Sequence, residues 1–172
     1  MRIRYRIRQF WQAATASPTD EDQAQVKRIL PPALLELFNQ LNPSEQVHSI
    51  QVFRQLFTRG ENHPDLLAAA LLHDVGKSRH RLHLWERVVI VLGKALFAKG
   101  VQRWSAGPPT GWRRPFVIAA KHPSWGADMA AQAGAAPLTV ALIARHQELF
   151  HAQPANLEEQ LLVKLQTCDE DN

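Results

Sequence analysis

The run Ala70-Leu71-Leu72-His73-Asp74-Val75-Gly76-Lys77 sets an imidazole beside a carboxylate at the end of an apolar stretch. His offers a neutral nitrogen and Asp two oxygens, so the pair can hold a divalent transition ion, and the carboxylate can bridge two. Neighbouring residues inside a helix do not face one another. At a helix end both side chains can bend toward one ion, and Gly76 lets the backbone turn away. A His-Asp dipeptide alone says little. Four more donors stand elsewhere: His48 in VHSIQVF, His122 in KHPSWGA, His146 in IARHQE and Asp169 in LQTCDE. Each falls on a different predicted helix or helix start, which is how helical folds gather ligands into one core site.

Proline and glycine punctuate the elements that must position these residues. A helix is predicted after the cap signals Ser17–Asp20, with Asp20, Glu21 and Asp22 in its first turn, and Pro31-Pro32 breaks it. A short helix carries Leu34, Leu35, Leu37, Phe38 and Leu41. Asn42-Pro43-Ser44-Glu45 opens the next, which runs to about Arg59 and ends at Gly60. Pro64 opens a helix over 65–75, stopped by Gly76. A long helix is predicted over 82–99 and a long loop over 100–114. Shorter helices follow over 115–121, 123–133, 137–149 and 157–168. Residues 2–14 permit a helix or, from their Arg/apolar alternation, a short strand. Strand signals are otherwise nearly absent. The expectation is an all-α single domain of about seven to nine helices, with residues 1–42 as an N-terminal helical segment packed on a domain of 43–172.

The 172 residues are 45% hydrophobic and 21% charged, which fits one globular domain and argues against wholesale disorder. The single cysteine, Cys168, excludes an internal disulfide framework and a Cys-based zinc ribbon, so a reducing, cytoplasmic setting is expected. Cys168 itself reads as buried packing. No segment reads as a signal peptide, and the apolar stretch 82–98 is interrupted by Glu86, Arg87 and Lys94. The net charge of +4 is concentrated. Residues 77–121 hold ten basic side chains against Glu86 alone. That balance favours an anionic partner: a phosphate ester, a nucleic acid or an anionic membrane surface.

Taken together, these residues resemble the HD-domain superfamily of metal-dependent phosphohydrolases, HDIG-type members in particular. The likeness covers about residues 43–170. His48, His73, Asp74 and Asp169 fall on the superfamily's H…HD…D pattern, and His122 and His146 on the two extra histidines of its binuclear branch. The resemblance implies two divalent transition ions (Fe, Mn, Ni, Co or Zn) held by His48, His73, Asp74, His122, His146 and Asp169. It implies a metal-activated hydroxide attacking a phosphorylated, nucleotide-like small molecule. Two departures stand out. Gln147 replaces the second histidine of the usual HHE, with no glycine-tyrosine-proline signature after it, which argues against a cyclic-dinucleotide HD-GYP enzyme. Ser44, one turn before His48, is not an acid, which argues against a third metal.

In this reading Asp74 and Lys77 are catalytic, and Lys77, Arg113, Arg114 and Arg145 hold phosphate charge. Lys77 reads equally as a surface residue favoured by the helix dipole. His63 reads as a loop or cap residue, His80 and His83 as solvated neighbours of the His-Asp turn, and His151 and Asp128 as surface. Leu84, Val88, Val91, Leu92, Ala95 and Leu96 follow helical spacing and read first as core. The flanking Lys, Arg, Trp85 and Trp104 leave peripheral membrane contact or dimer contact open for 82–104. The 1–11 segment reads as a basic helix packed on the core or as an anion-binding arm. Two rival functions remain: a di-iron oxygenase on the same ligand set, and a non-catalytic metal-binding signalling module.

Overall fold

A computed structural model describes residues 16–148 and 153–171; the 1–11 segment, the 2–14 element and His151 lie outside them. The described residues form nine α-helices and no strand, the all-α architecture expected from the sequence. These are α1 (Asp20–Ile29), α2 (Pro32–Phe38), α3 (Pro43–Thr58), α4 (Pro64–Leu72), α5 (Leu84–Leu96), α6 (Ala98–Trp104), α7 (Arg114–Gln132), α8 (Pro137–Arg145) and α9 (Leu157–Glu170).

Local chemistry sets most of the helix starts. Thr19 and Asp22 close a reciprocal capping box at α1, with Asp20, Glu21 and Asp22 in the positive first turn. At α3 the Asn42 N–H donates to the Glu45 carboxylate. Prolines occupy the first turn of α2, α3, α4, α7 and α8, where the missing N–H is unneeded. Gly60, at φ 83°, turns the chain after α3 in a conformation that disfavours any side chain.

The centre of the bundle is α4. Leu66 to Leu72 are all buried, because PDLLAAALL is apolar on every face. Helices α3, α8 and α9 pack around it, and α1 and α2 close another side. Val26, Leu34, Phe38, Ile50, Leu71, Ile143 and Leu162 belong to one continuous core.

Several sequence expectations are corrected. Helix α4 ends at Leu72, and Val75–His80 is a 3-10 turn. The long helix over 82–99 breaks at Phe97 (φ −137°, ψ 44°), and the expected loop over 100–114 contains α6 and a second 3-10 turn, Gly111–Arg113. Residues 115–121 and 123–133 are one helix, α7, which continues through Pro123. Helix α8 stops at Arg145 rather than 149. Val88, Val91, Leu92 and Leu96 are not core; all four are exposed.

The inward face of α5 explains that last difference. Glu86 is 2% exposed and is gripped by the Arg114 guanidinium of α7. One heptad on, a side chain at Gly93 would meet the Phe116 ring, so only glycine allows this approach. Helix α5 is therefore mounted on α7 through an ion pair and a glycine, and its apolar residues turn outward. Arg114→Ala would leave the Glu86 carboxylate enclosed without its cation. A loss of about 2 kcal/mol is expected in chemical denaturation. An unchanged midpoint would show that the pair does not secure α5.

Candidate metal centre

Six side chains from five elements converge beneath the open side of the bundle. His48 comes from the middle of α3, His73 from the C-terminus of α4, Asp74 from the residue that follows, His122 from α7, His146 from the end of α8 and Asp169 from α9. They fall into two groups of three donors, His48–His73–Asp169 and Asp74–His122–His146. Within each group the ligand atoms lie within 4.8 Å of one another. In the first, His48 Nε2 is 2.8 Å and His73 Nε2 3.5 Å from Asp169 Oδ1. In the second, His122 Nε2 is 3.2 Å and His146 Nε2 4.0 Å from Asp74 Oδ1. Asp74 Oδ2 points the other way, 3.6 Å from His73 Nε2, so one carboxylate faces both groups.

The backbone fixes which nitrogen faces inward. His73 Nδ1 lies 2.9 Å from Ala70 O, His146 Nδ1 2.8 Å from Ile143 O, and His122 Nδ1 3.0 Å from Ala119 O. A carbonyl only accepts, so each Nδ1 carries the proton and each Nε2 presents a lone pair. The Ala119 carbonyl is available because residue 123 is proline. In an unbroken helix the N–H of residue 123 would bond to it. Pro123 thus frees an acceptor one turn away, and His122 takes it.

These lone pairs fit a cation. With both protons on Nδ1, His122 Nε2 and His146 Nε2 face each other at 3.2 Å as two acceptors, an arrangement that a cation between them would stabilise. His73 Nε2 is buried and makes no hydrogen bond. Ligands about 2.1 Å from one ion stand about 3–4 Å apart, which matches the separations above.

The electrostatics run the same way. Burial alone would raise the Asp74 carboxyl, but the Lys77 ammonium at 2.5 Å and the neighbouring His73 and His122 rings hold it well below the usual carboxylate range. Burial also raises Asp169, but its hydrogen bond with His48 and the neighbouring His73 ring outweigh it, so it too is held low. Burial, reinforced by His73, pushes the His146 imidazole down to about 3. Burial lowers His122 as well. For His73, burial is outweighed by Asp74 and Asp169, and its pKa is raised.

A cavity of about 340 Å³ opens onto His48, Asp74 and His122. Its cationic lining is Lys77, Arg87 and Lys94, and Leu82, Ile90 and Val91 of the α5 region form its apolar side. A second cavity of about 530 Å³ reaches His146 and Asp169, and Lys94 and Gln147 line both. Lys77 therefore lines the cavity while contacting Asp74. Arg113, Arg114 and Arg145 line neither cavity. Arg114 is committed to Glu86, Arg145 to Glu148 and Glu158, and Arg113 lies over the Trp112 ring. Arg87 and Lys94 were not singled out in the sequence, because 82–99 read first as a core helix. The helical offset of Arg87, Val91 and Lys94 was the available signal. Ser44 lines the cavity, and its neighbour Glu45 is paired with Arg87 at 2.8 Å. His80 packs against Trp125, His83 caps α5, and His63 precedes α4 beside Asp65.

Fold and site define a helical protein with a buried His/Asp centre suited to divalent metal. The chain belongs to the HD-domain family, whose model matches residues 46–170. HD domains bind divalent metals, and family members are generally metal-dependent phosphohydrolases. No curated protein and no solved structure gives a significant match to the chain.

Proposed function

We infer that this HD domain is an HDIG-type binuclear phosphohydrolase acting on a nucleotide-like phosphate ester. The observation carrying this reading is Asp74, whose two oxygens face separate groups of histidine lone pairs. His48, His73 and Asp169 would hold one ion and His122 and His146 the other, with Asp74 between them. Bound metal supplies a hydroxide near neutral pH and neutralises phosphoryl charge. The chain's own residues do the rest. Lys77 holds the Asp74 carboxylate ionised and stands at the cavity to meet phosphate oxygen. Arg87 and Lys94 add positive charge on the facing wall, and Leu82, Ile90 and Val91 offer an apolar surface for the flat part of a nucleotide. The lone, buried Cys168 suits work in a reducing cytoplasm.

The test is hydrolysis of p-nitrophenyl phosphate and bis(p-nitrophenyl) phosphate by the full chain with added Mn²⁺, Fe²⁺ or Ni²⁺. Metal-dependent release of nitrophenol is expected. Oxygen consumption by the reduced iron form, without ester hydrolysis, would give the site to oxygenase chemistry instead. Metal bound with neither reaction would leave a signalling module.

The two groups should also load differently with pH. A proton on His73 competes with metal, and its pKa is raised; His146 stays neutral down to about 3. On acidification from about pH 7.5 to about pH 5.5, affinity in the His48–His73–Asp169 group is expected to fall about tenfold per unit below the His73 pKa. Affinity at Asp74–His122–His146 should hold. Calorimetric titration with Zn²⁺ at both pH values reads this as two sites becoming one; parallel weakening of both would contradict it.

A further inference from the structure

We propose that the outer face of α5, with α6 and the 111–113 turn, docks on an anionic lipid bilayer. Helix α5 inverts the usual amphipathic pattern. Its inner side holds Glu86 and Gly93, while Trp85, Val88, Leu92 and Leu96 recur at helical spacing on the solvent side. Trp85 is 60% and Leu96 69% exposed. The stripe continues into Phe97 and Trp112, also exposed, which are fixed by ring contacts to Trp104. Trp104 in turn packs on the buried Phe116. Phe97 and Trp112 thus rest, through Trp104, on a buried ring of α7. Of the nine large hydrophobic residues exposed among the described residues, only Phe57 and Leu157 lie outside 85–112. Scattered exposed apolar residues need no explanation, but a contiguous stripe does.

Charge identifies the occupant. Within 77–121, Arg79, Arg81, Lys94, Lys99, Arg103 and Arg113 are exposed, and the one acid, Glu86, is buried and paired. Apolar and aromatic side chains that share α5, α6 and the 111–113 turn with exposed Lys94, Lys99, Arg103 and Arg113 match an anionic bilayer surface, with tryptophan at headgroup depth. A second copy fits worse, because a two-fold contact would set this basic rim against itself. The mode is peripheral: among the described residues no helix is long and apolar enough to cross a membrane. Val91 and Lys94 belong to both α5 and the cavity wall, so docking would bring the mouth of the metal cavity beside the lipid surface. The proposal stands independently of the phosphohydrolase reading.

The test is flotation of the full chain with vesicles of phosphatidylcholine alone and of equal parts phosphatidylcholine and phosphatidylglycerol. Binding is expected only to the anionic vesicles, released by high salt, with a blue shift of tryptophan emission. The variant Trp85→Ser/Leu92→Ser/Leu96→Ser should lower partitioning by about tenfold or more. Lys99→Glu/Arg103→Glu should weaken it by about fivefold for each cation removed. Lys27→Glu/Arg28→Glu on α1 should change nothing. If the triple variant loses helicity by circular dichroism, the Lys99/Arg103 variant decides alone. No flotation, equal binding to both vesicles, or full binding by a folded variant would overturn the proposal. So would a dimer in sedimentation equilibrium that the triple variant abolishes, which would assign the face to a second copy.

Discussion

Asp74→Ala is expected to lower kcat for metal-dependent ester hydrolysis by about a thousandfold, several kcal/mol of transition-state stabilisation. If the proposed binuclear site holds, metal content should drop from two equivalents per chain to one or none. Asp74 is 3% exposed, and its oxygens lie between His122 on one side and His73 and Lys77 on the other. Its removal takes a ligand from one group and the anionic link from both. What remains in the second group is two imidazole lone pairs facing each other, a poor site for a cation without a compensating charge. Asp74→Asn keeps the shape and one neutral oxygen, so it should stay folded and still lose most of the rate. Elemental analysis, kcat and circular dichroism on the two variants separate loss of the centre from loss of the fold. A folded Asp74→Ala protein with full rate would remove Asp74 from the chemistry.

How much of this was legible in the sequence depended on whether the deciding interaction was local. Helix starts were legible: Thr19, Asn42 and the first-turn prolines act within three or four residues of themselves. The six donors were legible as a set because together, in order, they resemble the H…HD…D pattern and the two extra histidines of the HD-domain family. Their grouping into two triads was not, since it depends on how α3, α7, α8 and α9 converge on the end of α4. Pro123 read as a helix break because the ring removes a backbone donor. In the fold the freed Ala119 carbonyl is taken by His122, so the helix continues and the proline serves the site. Helix α5 misled for a different reason. Apolar periodicity reports a face that wants covering, not what covers it. Here the Glu86–Arg114 pair and the Gly93–Phe116 contact took the inner side. Arg114, expected from the sequence to hold phosphate, is paired instead with the buried Glu86 carboxylate.

Gly76→Ala carries the largest expected effect on stability. Sequence reasoning assigned Gly76 the role of letting the chain turn. Its φ is not in the left-handed region, and the real constraint is contact. An added Cβ would stand 2.0 Å from His122 O and 2.6 Å from Gly126 N, both backbone atoms of α7. Gly126 returns the constraint, since its own Cβ would lie 3.0 Å from Gly76 N. The 3-10 turn after Asp74 and the middle of α7 therefore touch backbone to backbone. Neither can yield by rotating a side chain. A methyl group here must force the turn and α7 apart, which is expected to destabilise by about 3 kcal/mol or more. The same displacement would move His122 away from Asp74, so metal affinity should fall even in molecules that remain folded. Thermal denaturation of Gly76→Ala with and without Mn²⁺ measures both. The wild-type midpoint should rise on metal addition, and the variant should start lower and respond less. A variant with a normal midpoint and a normal response to metal would mean that this contact positions neither the turn nor the ligand.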